Sequence, residues 1–88
     1  MKIEFSTRFL KSYKKLVSGR PDVAITSLQK ILLFSDNPLD PTLKFHKLKG
    51  KLSDTWSFSI EENLRVLVDR KDASKYLFVD IGTHNQVY

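Results

Sequence analysis

Eighty-eight residues, 41% hydrophobic and 28% charged, suit one domain with one core and are too apolar for a disordered chain, so a single domain over residues 1–88 is expected. The absence of cysteine excludes a disulfide scaffold, no apolar run approaches the roughly 20 residues of a membrane span, and Met1-Lys2-Ile3-Glu4-Phe5 lacks a signal peptide's apolar block; a soluble cytoplasmic protein without a membrane partner is expected. The net charge of +5 is concentrated: residues 44–51 hold four lysines and no acid, whereas residues 52–88 hold four bases against six acids.

Lys2 to Phe5 alternates, with Ile3 and Phe5 on one side, and predicts a half-buried strand. Ser6 or Thr7 supplies a capping oxygen for a helix in which Phe9, Leu10, Tyr13, Leu16 and Val17 form the apolar face and Arg8, Lys11, Lys14 and Lys15 the polar one. Ser18-Gly19-Arg20 breaks that helix, and Pro21 with Asp22 opens a second, in which Ala24, Ile25, Leu28, Ile31 and Leu32 keep helical spacing. The short connection predicts an antiparallel helical hairpin, ended by Asn37-Pro38-Leu39-Asp40-Pro41. Beyond Pro41, Trp56, Phe58 and Ile60 alternate with polar residues, as do Leu64, Val66 and Val68 with Arg65, Leu67 and Asp69. Two strands joined by Glu61-Glu62-Asn63 follow, and a polar loop from Arg70 to Ser74 leads to a strand from Lys75 to Ile81. The order predicts an α+β fold: an N-terminal strand and helical hairpin packed on one face of a mostly antiparallel four-stranded sheet, with the other face open to solvent.

The chain has two histidines. His46 lies inside the lysine cluster Lys44, Lys47, Lys49 and Lys51, and His84 follows Gly82-Thr83 after the last strand. Imidazoles titrate near neutrality, lysines and Arg65 can hold phosphate, and together they are the parts of a metal-independent ribonuclease. The plainer alternatives are surface or capping histidines and a solvated lysine loop. Trp56, Phe58 and Tyr76 have two readings: base-stacking platforms, or core at alternate strand positions. Two histidines without a paired carboxylate make zinc improbable, with His46, His84 and Asp80 the remaining combination, and the three glycines cannot form a nucleotide-binding loop. No cofactor is expected.

Leu39-Asp40-Pro41, His46-Lys47-Leu48-Lys49-Gly50, Leu64-Arg65-Val66-Leu67-Val68 and the closing Asp80-Ile81-Gly82-Thr83-His84-Asn85-Gln86-Val87-Tyr88 occur in an order that resembles the RelE/ParE superfamily of toxins from toxin–antitoxin pairs. The Leu-Lys-Gly after a histidine and the terminal Gly-Thr-His look like the YafQ and RelE/StbE branches. The resemblance implies a RelE-like fold and a type II toxin that cuts translated messenger RNA on the ribosome without metal and is neutralised by a protein antitoxin. It implies His46 and His84 as catalytic histidines, Arg65 as the phosphate-binding arginine and Tyr88 as the closing aromatic. Ser59 and Asn63 stand where YafQ-like chains place a third histidine and an aspartate, and neither can do the same proton chemistry. Two alternatives follow: a ParE-like gyrase inhibitor, which would need no acid–base pair, and a catalytically weak toxin acting through antitoxin binding and autoregulation. A monomer alone, pairing with an acidic, partly disordered antitoxin, is expected from the basic charge and half-open sheet.

Overall fold

The structure, a computed structural model, describes residues 1–50 and 55–87. The chain runs β1 (Lys2–Phe5), α1 (Thr7–Val17), α2 (Pro21–Asp36), a 3₁₀ turn (Pro41–Leu43), β2 (His46–Lys47), β3 (Trp56–Glu61), β4 (Leu64–Asp72), β5 (Lys75–Gly82) and α3 (His84–Val87). The strands form one sheet in the order β1-β5-β4-β3-β2, in which β1 pairs with β5 in parallel and the other neighbours are antiparallel. The α+β fold is the expected one, with a fifth strand added. His46–Lys47 is too short for alternation to register in the sequence, and only its pairing with Trp56–Ser57 makes it a strand.

Ser6 ties helix to sheet. Its Oγ accepts from the Phe9 N–H (2.9 Å) and donates to the Val79 carbonyl (2.6 Å), so the cap of α1 is also an anchor on β5. Pro21 occupies the start of α2, where its missing N–H costs nothing. At the other end, Asp40 accepts from the Thr42 N–H (2.9 Å) and hydroxyl (2.6 Å) to open the 3₁₀ turn, and these bonds hold its carboxyl below the ordinary aspartate value. Lys44, with φ of 50°, reverses the chain into β2.

The core lies between the helices and the sheet and is largely aromatic. Phe34 of α2 stacks on Phe58 of β3 at 4.5 Å between centroids and meets Phe45, Tyr76 and Phe78 edge-on at 5.0–5.5 Å. Each such pair adds about 0.5–1.5 kcal/mol beyond burial. Phe58 and Tyr76 are buried, while Trp56 stacks on Phe45 and is covered by the Arg70 guanidinium. All three aromatics therefore serve the core, and the base-stacking reading falls.

Three further expectations are corrected. The buried stripe of α2 is Val23, Ser27 and Phe34 with half-buried Ile31, whereas Ile25, Leu28 and Leu32 are more than half exposed. This helix is apolar around most of its girth, so spacing alone cannot choose its inner face. Strand β4 runs on to Asp72, leaving a two-residue turn at Ala73-Ser74 in place of the longer polar loop; Asp72 closes it by accepting from the Ser74 N–H (2.7 Å) and hydroxyl (3.0 Å). Finally, the sheet face away from α1 and α2 is not open along its length, since Ser57, Ser59 and Leu67 are buried.

Candidate functional site

Cross-strand register fixes which side chains share a face. Ser57, Ser59, Arg65 and Leu67 lie opposite the face that carries Phe58, Val66 and Val68, and His46, paired with Ser57, joins them. Lys47 pairs with Trp56 and so belongs to the other face. The lysine cluster is thereby divided: Lys44 sits at the left-handed position before β2, Lys47 on the helix side of the sheet, and Lys49 beyond the strand, all three exposed. Lys51 and Tyr88 lie outside the described residues.

Exposed His46 is oriented by the backbone. Its Nδ1 lies 2.7 Å from the Lys44 carbonyl oxygen. A carbonyl only accepts, so Nδ1 carries the hydrogen, and in the neutral ring Nε2 holds the free lone pair; this tautomer is assigned from the hydrogen bond.

Arg65 is half-buried on β4, between Ser59 of β3 and Gly82 of β5. Its Nη1 donates to Ser59 Oγ and to the Glu61 carbonyl (3.2 Å). It helps line a groove of about 370 Å³ together with Lys30, Thr42, Lys44 and Ser59, and Glu61 and Glu62 border the same groove, so its three bases exceed its acids by one. The structure thus brings Arg65 and Lys44 to one groove and adds Lys30, whose Nζ lies 3.4 Å from the Thr42 hydroxyl. Sequence reading missed Lys30. No signal in the sequence marks it, since Lys30 follows Gln29 in a helix whose Leu28 is also exposed, and only the packing of α2 beside the 3₁₀ turn brings it to the groove. Ser59 holds the arginine.

His84 opens α3, two residues past Gly82 and therefore just beyond the strand partner of Arg65. The helix is set by Thr83-His84-Asn85-Gln86, in which the Gln86 Oε1 accepts from the Thr83 N–H (2.8 Å) while the Gln86 and Val87 N–H groups donate to the Thr83 carbonyl (3.0 and 3.1 Å). This is the glutamine half of a Thr-x-x-Gln capping box, with the Thr83 backbone carbonyl as the acceptor for the first turn, and the pattern was present in the sequence. Buried Val87 packs the helix back toward the sheet, and Gly82 allows the close return: a Cβ there would stand 2.8 Å from Gln86 Oε1 and 3.1 Å from Val87 Cγ1. The strands bearing or preceding the two histidines, β2 and β5, are three spacings of roughly 4.8 Å apart, about 14 Å, with Arg65 on the intervening β4. The histidines do not form a pair with each other. Among the described residues no three His, Asp or Glu side chains cluster as metal ligands; Asp80 meets Arg8 instead.

A helical pair on a five-stranded sheet, with β1 parallel to β5 and the other neighbours antiparallel, is the fold of the RelE/ParE class of toxins. The whole chain, residues 1–88, matches the family model described as bacterial toxin of type II toxin–antitoxin system, YafQ, and the chain belongs to that family. It is similar in structure to YafQ from E. coli strain BL21(DE3), with a TM-score of 0.80 at 21% identity over 99% of this chain and 97% of that one. A metal-bound toxin from Helicobacter pylori gives a TM-score of 0.75 at 28% identity over 100% and 99% of the two chains. The toxin in the E. coli DinJ–YafQ toxin–antitoxin complex gives 0.70 at 22% identity over 99% and 96%. No curated protein sequence matches the chain. Among the described residues no helix is long and apolar enough to cross a membrane.

Proposed function

We propose that this type II toxin is a ribosome-dependent endoribonuclease that cleaves translated messenger RNA by metal-independent acid–base chemistry in the cytoplasm. The observation that carries the reading is Arg65, held by Ser59 and the Glu61 carbonyl in a groove with Lys30 and Lys44, one strand from the segment that leads to His84. A guanidinium fixed in place, in a groove whose two ammonium groups offset the carboxylates of Glu61 and Glu62, is suited to the charge that develops on a phosphodiester under attack.

In this reading His46 is the base and His84 the acid. The Lys44 carbonyl leaves His46 Nε2 as proton acceptor for a ribose 2′-hydroxyl, and His84, on the opposite side of Arg65, returns a proton to the departing 5′-oxygen. The RNA lies across β4 between them, with Lys44 beside Arg65 on the backbone phosphates, Tyr88 the closing aromatic, and the exposed Lys47 and Lys49, together with Lys51, adding attraction for RNA on the ribosome rather than contacts at the scissile phosphate. The ribosome supplies the ordered message, and a protein antitoxin blocks the site. The DinJ–YafQ complex supports such a partner.

Primer extension on a message that is translated, and on the same message with its start codon removed, tests the proposal. Cuts confined to the translated message and reduced at least 100-fold in His84→Gln support it. Equal cutting of untranslated RNA, or growth arrest with intact messages and inhibited DNA supercoiling, refutes it, the latter in favour of the gyrase-directed class.

A further inference from the structure

A second basic groove, of about 490 Å³, lies between α1 and the end of β5, where Gln86 of α3 closes one side. Arg8, Ser12 and Lys15 project into it from α1 at positions i, i+4 and i+7, one stripe of the helix, and Arg20 borders it from the start of α2. Arg8 is oriented from within the fold. Its Nε meets Asp80 Oδ2 at 3.0 Å, the Asp80 side chain is 6% exposed and that of Arg8 69%, and the other carboxylate oxygen accepts from the Ile81 N–H at 2.9 Å. A buried acid with both oxygens engaged therefore fixes the guanidinium through one N–H and leaves its outer donors to the groove.

We propose that this groove is a second RNA-backbone site, which takes the phosphates of the strand beyond the scissile position. The inference rests on the ribonuclease reading and extends the path of the RNA. Two observations favour a nucleic-acid strand over a small anion. Arg8 and Lys15 are separated by seven residues, about 10 Å along the helix, so they serve different phosphates. Among the cations half-buried Leu16 lines the groove, an apolar surface against which the sugar of a ribose–phosphate chain can lie. The groove also lies one strand from the candidate site, because Gly82 lines it and is the strand partner of Arg65. A strand held at Arg65 needs only to cross the end of β5 to enter it.

Fluorescence anisotropy of a labelled single-stranded oligoribonucleotide, titrated with protein over a series of KCl concentrations, tests the site. In Lys15→Gln/Arg20→Gln, which leaves the Arg8–Asp80 pair intact, the log–log salt slope is expected to fall by about 1.4, or 0.7 for each lost single-strand phosphate contact. Lys11→Gln/Lys14→Gln removes the same charge from α1 outside the groove and is expected to change the slope by less than half as much. Equal losses in both variants would mean diffuse attraction and overturn the site. A wild-type protein that fails to bind the oligonucleotide, or a groove variant that loses affinity for polyglutamate but not RNA, would overturn it as well, the second in favour of an acidic polypeptide. Primer extension on the same preparations reports on the nuclease reading separately: wild-type cleavage with an unchanged slope in the groove variant sinks the second site alone.

Discussion

Gly82→Ala isolates the positioning of α3 from the stability of the fold. The backbone of Gly82 lies outside the left-handed region, so alanine has no conformational objection to the site and would gain about 0.4–1 kcal/mol through the unfolded chain. Space is the obstacle, since the new methyl would stand 2.8 Å from Gln86 Oε1 and 3.1 Å from both Gln86 Cβ and Val87 Cγ1. Relief comes from rotation of the Gln86 side chain, which breaks the bond from the Thr83 N–H, worth about 1 kcal/mol, and from a small outward shift of α3 at Gln86 Cβ and Val87, which gives up part of the roughly 1.5 kcal/mol or more from burying Val87. The net loss is about 1 kcal/mol, seen as a fall in Tm of about 4–8 °C for a domain this size. Because a displacement of about 1 Å can cost 100-fold in rate, the smaller shift of α3 should lower cleavage of translated message by about 10-fold as His84 moves with it. Gly19→Ala is the matched control: φ is +69° with nothing within 4 Å of the added Cβ, so it costs about 1 kcal/mol by strain alone at the α1–α2 connection. Thermal melts and primer extension on both variants decide the matter. Equal cleavage by the two at equal Tm would refute the claim that Gly82 positions a catalytic group.

Arg65→Ala should lower cleavage about 100- to 1000-fold, and Arg65→Lys should not restore it, because a single ammonium cannot reproduce the fork held at Ser59 and Glu61; rescue by lysine in the same kinetic assay would reduce Arg65 to a point charge. Phe34→Ala removes the ring shared by four aromatic contacts and should cost about 3–5 kcal/mol, moving the urea midpoint down by about a third to a half; a shift under 1 kcal/mol would mean the cluster repacks freely. Asp40 has a folded-state value held below 3.8 by Thr42, so its contribution to the turn is fully present above that pH and is lost as acid passes through the folded value. The NMR shift of the Thr42 amide should follow a titration midpoint below 3.8, and a midpoint at or above it would remove the bond from the account.

Much of the fold was legible because local chemistry and the core agree. Ser6, Pro21 and the alternation of Phe58, Ile60, Leu64, Val66 and Val68 each point to the element found. The inner face of α2 was not legible, because Ile25, Leu28 and Leu32 present as good an apolar stripe as Val23, Ile31 and Phe34, and only the aromatic partners across the sheet decide which turns inward. The return of α3 was written in Thr83-x-x-Gln86, but a four-residue helix has no periodicity to draw attention to it.

The candidate site was readable as residue types and unreadable as geometry, and His46 shows why. In a two-residue strand, alternation carries no information about which residue faces which way, so the contiguous cluster from Lys44 to Lys49 reads as one patch. Pairing with Trp56 and Ser57 resolves it: the lysine of the pair goes to the helix side and the histidine to the side of Ser59 and Arg65. A slip of one residue would exchange them, placing an ammonium where a titratable ring now stands. What holds the register lies outside β2. Phe45 wedges against Phe34 and stacks on Trp56 at 4.8 Å, while the Leu48 N–H donates to the Thr55 carbonyl at 2.9 Å. The left-handed turn at Lys44 then brings its carbonyl onto His46 Nδ1. The aromatic core therefore selects the face, and the backbone selects the tautomer, of a histidine whose neighbours in sequence are all cations or core.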